Sequence, residues 1–467
     1  MAPRMRRLVI IGHGAAGLAA ALSAAEEAHS RGLRLDVTLL EKASAQEAGG
    51  NTRWSPSNIR MDAPDHVGPD FEDGMQLASG GRADRNYFHA LATNAVETIA
   101  WLQAHGVAFA APAYYLSAGP RRIQPIGGGA AIVEKLSAAA KAAGVRICYQ
   151  TPAMRLLMPQ GCVGGVVFKT DGASGTIKAD AIICATGGFQ GNAAMMREQF
   201  GAGAEAIRLI SPGTRFNSGD GIRIATEVGA KVSGDWNGMH IEPIDPRSGA
   251  SAPVVLVYPY GIVVDQNGQR FFDEGGGLVH ETWESFARDI HFSRLMRIAY
   301  TILDSRLFEI EGHSRAIRSD VAPYRSETIE GLATQIGVPA GNLRQTIDAF
   351  NAAAAGDASR FDATRCDGLA TAGLTPPKSN WARPIAKPPY LAYPLVGGLA
   401  YTFGGLATNE KAEVLCGDGP IPGLYAAGET TGHFHGTAPN AVAVLRALVF
   451  GRIAGREAVG FLQQQKS

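Results

Sequence analysis

The chain has 467 residues, 46% of them hydrophobic and 18% charged, with 43 basic and 43 acidic side chains. That size exceeds what one ordinary core needs and points to two domains or one large discontinuous one. The balanced charge gives no sign of a nucleic-acid or membrane-surface partner. The five cysteines (Cys148, Cys162, Cys184, Cys366 and Cys416) stand singly, with no CxxC or Cys/His spacing, so a disulfide framework, a metal site, an iron–sulfur cluster or attached haem finds no support. Reduced thiols in a cytoplasmic protein fit best.

The basic start "MAPRMRRLVIIGHG" has an apolar run of only four residues, which leads into glycines rather than into a cleavage site. No stretch of about 18 apolar residues is present to span a membrane. "LVII" predicts a buried strand, "AAGLAAALSAAEEAHSRG" an alanine-rich helix and "LDVTLLEK" a second strand, a βαβ opening. Helices are then predicted around "RNYFHALATNAVETIAWLQAHG" and "GGGAAIVEKLSAAAKAAGV". "RICYQTPAMRLLM" and "GCVGGVVFKT" read as strands of a small antiparallel unit, and "ADAIICATGG" as a buried strand ending in glycines.

The pattern changes from about residue 236, where short strands around "VVLVYPYGIVVDQNGQRFF" precede helices at "ETIEGLATQIG" and "NLRQTIDAFNAAAAG". The proline-rich "TPPKSNWARPIAKPPYLAYP" reads as a linker back to strand-like "PIPGLYAAGE". The expected fold is α/β: a Rossmann-type dinucleotide domain from residues 1–235 and 376–467, with an inserted α+β capping domain at 236–375.

Gly12, Gly14 and Gly17 form GxGxxG between the first strand and its helix, which suits a tight turn, close approach to a pyrophosphate and close helix–strand packing. Glu41 ends the second strand, 24 positions beyond Gly17, where a carboxylate accepts from ribose hydroxyls. Glycine-marked stretches recur far away, at "GGNTRW", "ICATGGF" and "GLYAAGET". A flavin dinucleotide spans the whole domain and touches distant parts of a chain, so these repeats favour FAD over NAD.

Across nearly its full length the chain resembles the fumarate reductase and succinate dehydrogenase flavoproteins. The resemblance is carried by "GHGAAGLAAAL", "GGNTRW", "CATGGF", "NSGDGIRIATEVGA", "GQRFFDE", "YTFGGLATN" and "IPGLYAAGETTGHFHG". Within that superfamily "YPYGIVV", "PPYLAYPL" and "TFGGL" are most similar to tricarballylate dehydrogenases. The resemblance implies FAD contacts at Gly12, Gly14, Ala15, Ala16, Gly17, Glu41, Lys42, Gly50, Asn51, Thr52, Ala153, Ala185, Thr186, Gly187, Asp220, Gly428 and Glu429. It adds Ala443 and Val444, at a helix start facing the flavin. "NTRWS" has no histidine to tether the flavin, so FAD is expected to be non-covalent.

The family's reaction moves a hydride between flavin and one carbon of a C–C bond and a proton at its neighbour. Here Leu278 stands where fumarate reductases carry the proton-transferring arginine, and Ala438 and Pro439 where they carry a second one. Tyr401 and Glu242 replace two family histidines. Replacement acid/base or anchoring groups are sought in Tyr401, His240, His435, Arg288, His280 and Tyr260, with Tyr258 and His433 nearby and Glu274 expected to brace the cap. Tyr401 would serve as acid or base if neighbouring charge lowered its pKa.

The expected activity is FAD-dependent desaturation, or its reverse, beside a carboxylate, of tricarballylate type. Two alternatives stand beside it: a ketosteroid-like enzyme using Tyr258, Tyr260, Tyr393 and Tyr401, and a flavin subunit that passes electrons to a separate acceptor protein.

Overall fold

The structure, a computed structural model, describes residues 4–113, 116, 121–170, 172–354 and 356–465. In chain order the elements that build the site are β1 (Arg6–Ile11), α1 (Ala15–Ser30), β2 (Leu35–Leu40), β3 (Arg146–Cys148), β4 (Ala181–Cys184), β5 (Met239–Ile244), α2 (Val279–Ser293), β6 (Ala299–Leu303), β7 (Tyr390–Thr402), β8 (Glu413–Cys416), β9 (Gly419–Ala426) and α3 (Ala443–Gln464).

The first sheet has the order β8-β9-β4-β1-β2-β3. All pairs are parallel except β8 with β9. Ile10 stands between Leu39 and Ile183 at the centre, and all three are fully buried, as the unbroken apolar runs of a doubly covered parallel sheet require. In such sheets ligands bind beyond the carboxyl ends of the strands. The residues that follow β1, β2, β4 and β9 are Gly12, Glu41, Ala185 and Ala427, and all four border one cleft.

Helices α1 and α3 cover this sheet and touch backbone to backbone. A methyl group on Gly451 would lie 2.4 Å from the Ala16 oxygen, and one on Gly455 2.4 Å from the Ala20 oxygen. The alanine-rich sequence of α1 suits this crossing, because only small side chains let two helices approach so closely.

The second sheet is organised around β7, which pairs antiparallel with β5, β6 and the short strand Tyr324–Ser326 and parallel with Arg208–Leu209. The sequence reading assigned β7 to the returning nucleotide segment at 376–467. Its hydrogen bonds place it in the sheet of the inserted segment, so the change of sheet falls after residue 402. The prolines before it mimic a linker because they cannot donate, yet pairing begins at Tyr390, just past Pro389. A second correction concerns β3, which lies at the edge of the parallel sheet. The antiparallel unit is Ala153–Leu157, Gly165–Thr170 and Ala173–Lys178. Among the described residues no helix is long and apolar enough to cross a membrane.

Candidate active site

A cleft lies at the strand ends. At one end the backbone shapes it. Gly12 has φ +111° and a Cβ there would overlap the Ala185 oxygen at 2.2 Å; a Cβ on Gly17 would meet the Gly12 oxygen at 1.9 Å. Gly14 differs: its nearest neighbours to such an atom lie 3.9 Å away, so this backbone faces open space at the N-terminus of the 16-residue helix α1. That is room and polarity for a pyrophosphate.

The buried Glu41 accepts from the His13 N–H at 2.9 Å and the Ala43 N–H at 2.7 Å. Its burial raises the carboxyl pKa, an effect those amides oppose. Glu429 accepts from the Thr402 N–H at 3.0 Å and Asn217 Nδ2 at 3.3 Å, and burial pushes it up to about 7. Arg446, 1% exposed, borders the cleft with Nε and Nη2 making no hydrogen bond among the described residues, so an acceptor such as a cofactor carbonyl fits there.

At the other end side chains converge. His240 on β5 and Tyr401 on β7 are register partners, followed by a bulge between His240 and Ile241, and their rings stack at 4.7 Å. His240 Nδ1 bonds Glu284 of α2, and Nε2 lies 3.3 Å from Glu242 Oε1. Glu284 Oε2 also accepts from the Ala438 N–H at 3.2 Å. Burial alone would lower the His240 pKa, but the Glu284 and Glu242 carboxylates more than reverse this and hold it at about 10. The imidazole is therefore cationic at neutral pH. Trp283 sets its ring edge-on to His240 at 5.8 Å, and Arg318 also lines the cleft.

The sequence family described as FAD binding domain matches residues 7–443. The chain belongs to that family. FAD is its cofactor, and the glycine turn, the buried Glu41 and the unpartnered Arg446 nitrogens provide a site for it. An NADH:acrylate oxidoreductase from Vibrio harveyi is 30% identical over 79% of this chain and 36% of its own length. A 4-oxocyclohexanecarboxylate 2-dehydrogenase from Sinomonas cyclohexanicum is 31% identical over 71% of the chain and 61% of its own. The chain thus spans about a third to three fifths of these relatives. The open conformation of a flavocytochrome c3 fumarate reductase superposes with a TM-score of 0.77 over 98% of this chain and 79% of that one, at 24% identity, which speaks for the fold.

Within the FAD cleft stand the anticipated Gly12, Gly14, Ala15, Ala16, Glu41, Lys42, Gly50, Asn51, Thr52, Ala153, Ala185, Thr186, Gly187, Asp220, Gly428, Glu429, Ala443 and Val444, together with His240 and Tyr401. Gly17 lies beneath, as a packing glycine. Three polar members already have partners in the chain. Lys42 Nζ pairs with Asp220 at 2.7 Å. Asn51 donates to the Ala400 oxygen at 2.7 Å and accepts from Ser211 and Thr214.

Four anticipated catalytic residues fall outside the cleft. Tyr260 donates to the Ala363 oxygen at 2.7 Å and packs edge-on against Phe361 and Trp381. The Arg288 guanidinium lies over Phe292, 5.7 Å from its centroid. His280, half-buried, is depressed to about 4 by desolvation and then by the Arg122 and Arg60 charges, and stays neutral. His435, its pKa lowered by burial and then by Arg82, does not border the cleft either.

Tyr258 and Tyr393 are buried away from the cleft, the first bonded to Thr282 Oγ1 at 2.7 Å and the second near Arg247. His433 is sealed between the Tyr87 ring at 3.6 Å and Thr408 at 2.8 Å. Glu274 accepts from the Val263 N–H and both Arg270 donors, which makes it a brace. Leu278 caps α2, its N–H bonded to Glu281 at 2.8 Å after the glycine run. The Tyr401 pKa is raised, by burial and then by Glu284, and the opposing pull of Arg446 does not offset them, so the phenol is a neutral donor.

Glu284, Trp283 and Arg318 were not anticipated. For Glu284 a signal existed, since a carboxylate sits among Trp283, Phe286 and Ala287 on the buried face of an amphipathic helix. Arg318 follows a 3-10 turn, with no local pattern to mark it.

Proposed function

We propose that this chain transfers a hydride between FAD and a carbon–carbon bond next to a carboxylate, with His240 carrying the accompanying proton. Bound FAD supplies the hydride acceptor or donor. The observation that carries the reading is the His240 ring held between Glu284 and Glu242 and stacked on Tyr401, at the end of the cleft away from the nucleotide contacts. Glu284 fixes Nδ1 and the ring orientation, which leaves the Nε2 proton, loosely shared with Glu242 Oε1, as the transferable one. In reduction Nε2–H protonates the carbon next to the one that receives hydride; in desaturation that proton returns to Nε2. Tyr401 donates its O–H to the substrate's carbonyl or carboxylate oxygen and polarises it.

Arg318, which lines the cleft, is the cation this reading offers to the substrate carboxylate in the absence of the family arginines at Leu278 and Ala438. Both named relatives act on carboxylates, which supports this class of substrate; tricarballylate is one member of it. The flavin is non-covalent in this reading, since residues 51–55 offer no histidine. The ketosteroid-like alternative loses most of its support, because Tyr258, Tyr260 and Tyr393 do not gather in the cleft.

Anaerobic titration of the yellow holoprotein with saturated carboxylates, and of its dithionite-reduced form with the matching enoates, tests the proposal. Bleaching or reoxidation by carboxylates, lost in His240→Gln, is the expected result. Reaction with apolar ketones alone would overturn it.

A further inference from the structure

A second cavity adjoins the FAD cleft. The two share Trp54, Ser55, Pro56, Asn58 and Arg318, which therefore stand between them. Its described walls carry Arg53, Arg122, Arg315 and Arg318 and no aspartate or glutamate.

Several arginines elsewhere in the chain are paired with carboxylates: Arg247 with Asp245 at 2.7 Å, Arg270 with Glu274 at 2.6 Å, Arg306 with Asp304 at 2.6 Å. In the cavity Arg53 donates to the Ala48 oxygen at 3.2 Å and Arg315 to the Ala113 oxygen at 3.4 Å. Neither these two nor Arg318 forms an ion pair among the described residues. Gathering Arg53, Arg315 and Arg318 on one wall with no acidic side chain lining it is unfavourable, and it focuses a positive potential on whatever enters.

The wall is also fixed in place. The Arg318 N–H bonds the Val254 oxygen at 2.9 Å, Ile317 bridges to Val255, and the Leu256 N–H bonds the Ala316 oxygen at 2.8 Å. Residues 315–318 are thereby pinned to the segment whose Val254 borders the FAD cleft.

We propose that this arginine-lined cavity is a second substrate subsite, which takes a carboxylate or phosphate group remote from the reacting carbon–carbon bond while Arg318 stands at the junction. The inference rests on the reaction proposed above and narrows its substrate. The molecule carries at least two anionic groups, one in each compartment, as a polycarboxylate or a phosphorylated acid does. A simple monocarboxylate reaches only the first. The two arginines missing from their family positions then have a physical counterpart in a cationic surface supplied by other segments of the chain.

The test uses holoenzyme and two probes, butanoate and propane-1,2,3-tricarboxylate, with binding read by calorimetry and reaction by anaerobic flavin bleaching. Arg315→Ala is expected to weaken the tricarboxylate about tenfold, the scale of one charge-assisted contact, and Arg315→Glu more. The ratio of tricarboxylate to butanoate half-saturation is expected to rise equally. Arg344→Ala, which removes an exposed arginine paired with Glu330 at 2.7 Å, serves as the control and is expected to leave that ratio unchanged.

Inorganic phosphate that displaces the tricarboxylate below the acid's own half-saturating concentration assigns the subsite to phosphate esters; the opposite order assigns it to polycarboxylates. Equal tricarboxylate affinity in wild type and Arg315→Ala overturns the subsite, and so does equal weakening in the Arg344 control. Butanoate bleaching with no dependence on Arg315 removes the subsite and keeps the reaction. Arg315-dependent binding without bleaching by any acid keeps the subsite and removes the reaction.

Discussion

At the cofactor end of the cleft, Gly12, Glu41, Ala185 and Ala427 arrive together because each follows the last residue of a parallel strand. At the substrate end, His240, Glu284 and Tyr401 come from β5, α2 and β7, and only tertiary packing brings them together. The first arrangement is a property of backbone and is tolerant of side chains. The second depends on a few polar groups whose charges are set by one another. The difference predicts where substitutions abolish the holoenzyme, where they abolish turnover alone, and where they do little.

The largest effect is expected from Gly12→Ala. A methyl group 2.2 Å from the Ala185 oxygen, on a residue at φ +111°, forces the turn apart, at a cost of about 3 kcal/mol or more. The purified protein should be colourless; a full complement of flavin by visible absorbance would show that the turn does not hold the cofactor.

Next comes His240→Gln. The protein should stay yellow while flavin reduction by substrate falls about 10²- to 10⁴-fold, the range for loss of a positioned acid/base. A loss below about tenfold would remove His240 from proton transfer.

The pH profile sharpens the same point. Because His240 is held at about 10, the rate in the direction that consumes its proton should decline as pH rises through about 10, and this limb should vanish in His240→Gln. The folded pKa lies above the unfolded value of about 6.5. Its stabilising contribution is therefore fully present below that value and is lost as pH rises toward about 10. Thermal melts of wild type and variant across that window should converge at the alkaline end.

Glu284→Gln removes one of the two carboxylates that raise His240. The alkaline limb should move to lower pH, with a rate loss of about tenfold, and an unmoved limb would mean that Glu284 only packs. The smallest effect is expected from Lys42→Ala. Its pair with Asp220 is partly exposed, at 26% and 33%, and such pairs are worth about 0.5 kcal/mol, so FAD affinity should change less than about threefold by fluorescence titration.

This contrast also explains what the sequence revealed. Gly12, Gly14 and Glu41 were legible because their job is done within one βαβ unit, where spacing along the chain equals position in space. His240 and Tyr401 were found from motif positions. Their pairing across β5 and β7 was not, because it depends on a register set by a thirteen-residue strand assigned to the other segment. His280 and Arg288 looked suitable because they follow a family motif closely. The glycine run delivers the chain into α2, from which Trp283 borders the cleft and Glu284 holds His240. Arg318 had no local signature at all, since its importance comes from what lies opposite it.

The contact of Gly451 and Gly455 with the backbone of α1 has a consequence for biosynthesis. The sheet that holds the cofactor takes β1 from the first residues and β9 from beyond residue 418, and α3 seals it last. A nascent chain therefore has no complete flavin site until α3 has left the ribosome. The N-terminal strands must wait, with their apolar faces uncovered, for most of the chain to be made. Loading of FAD is thus a late event in maturation, and a chain that stalls before α3 is a target for chaperones and proteases rather than a partly active enzyme.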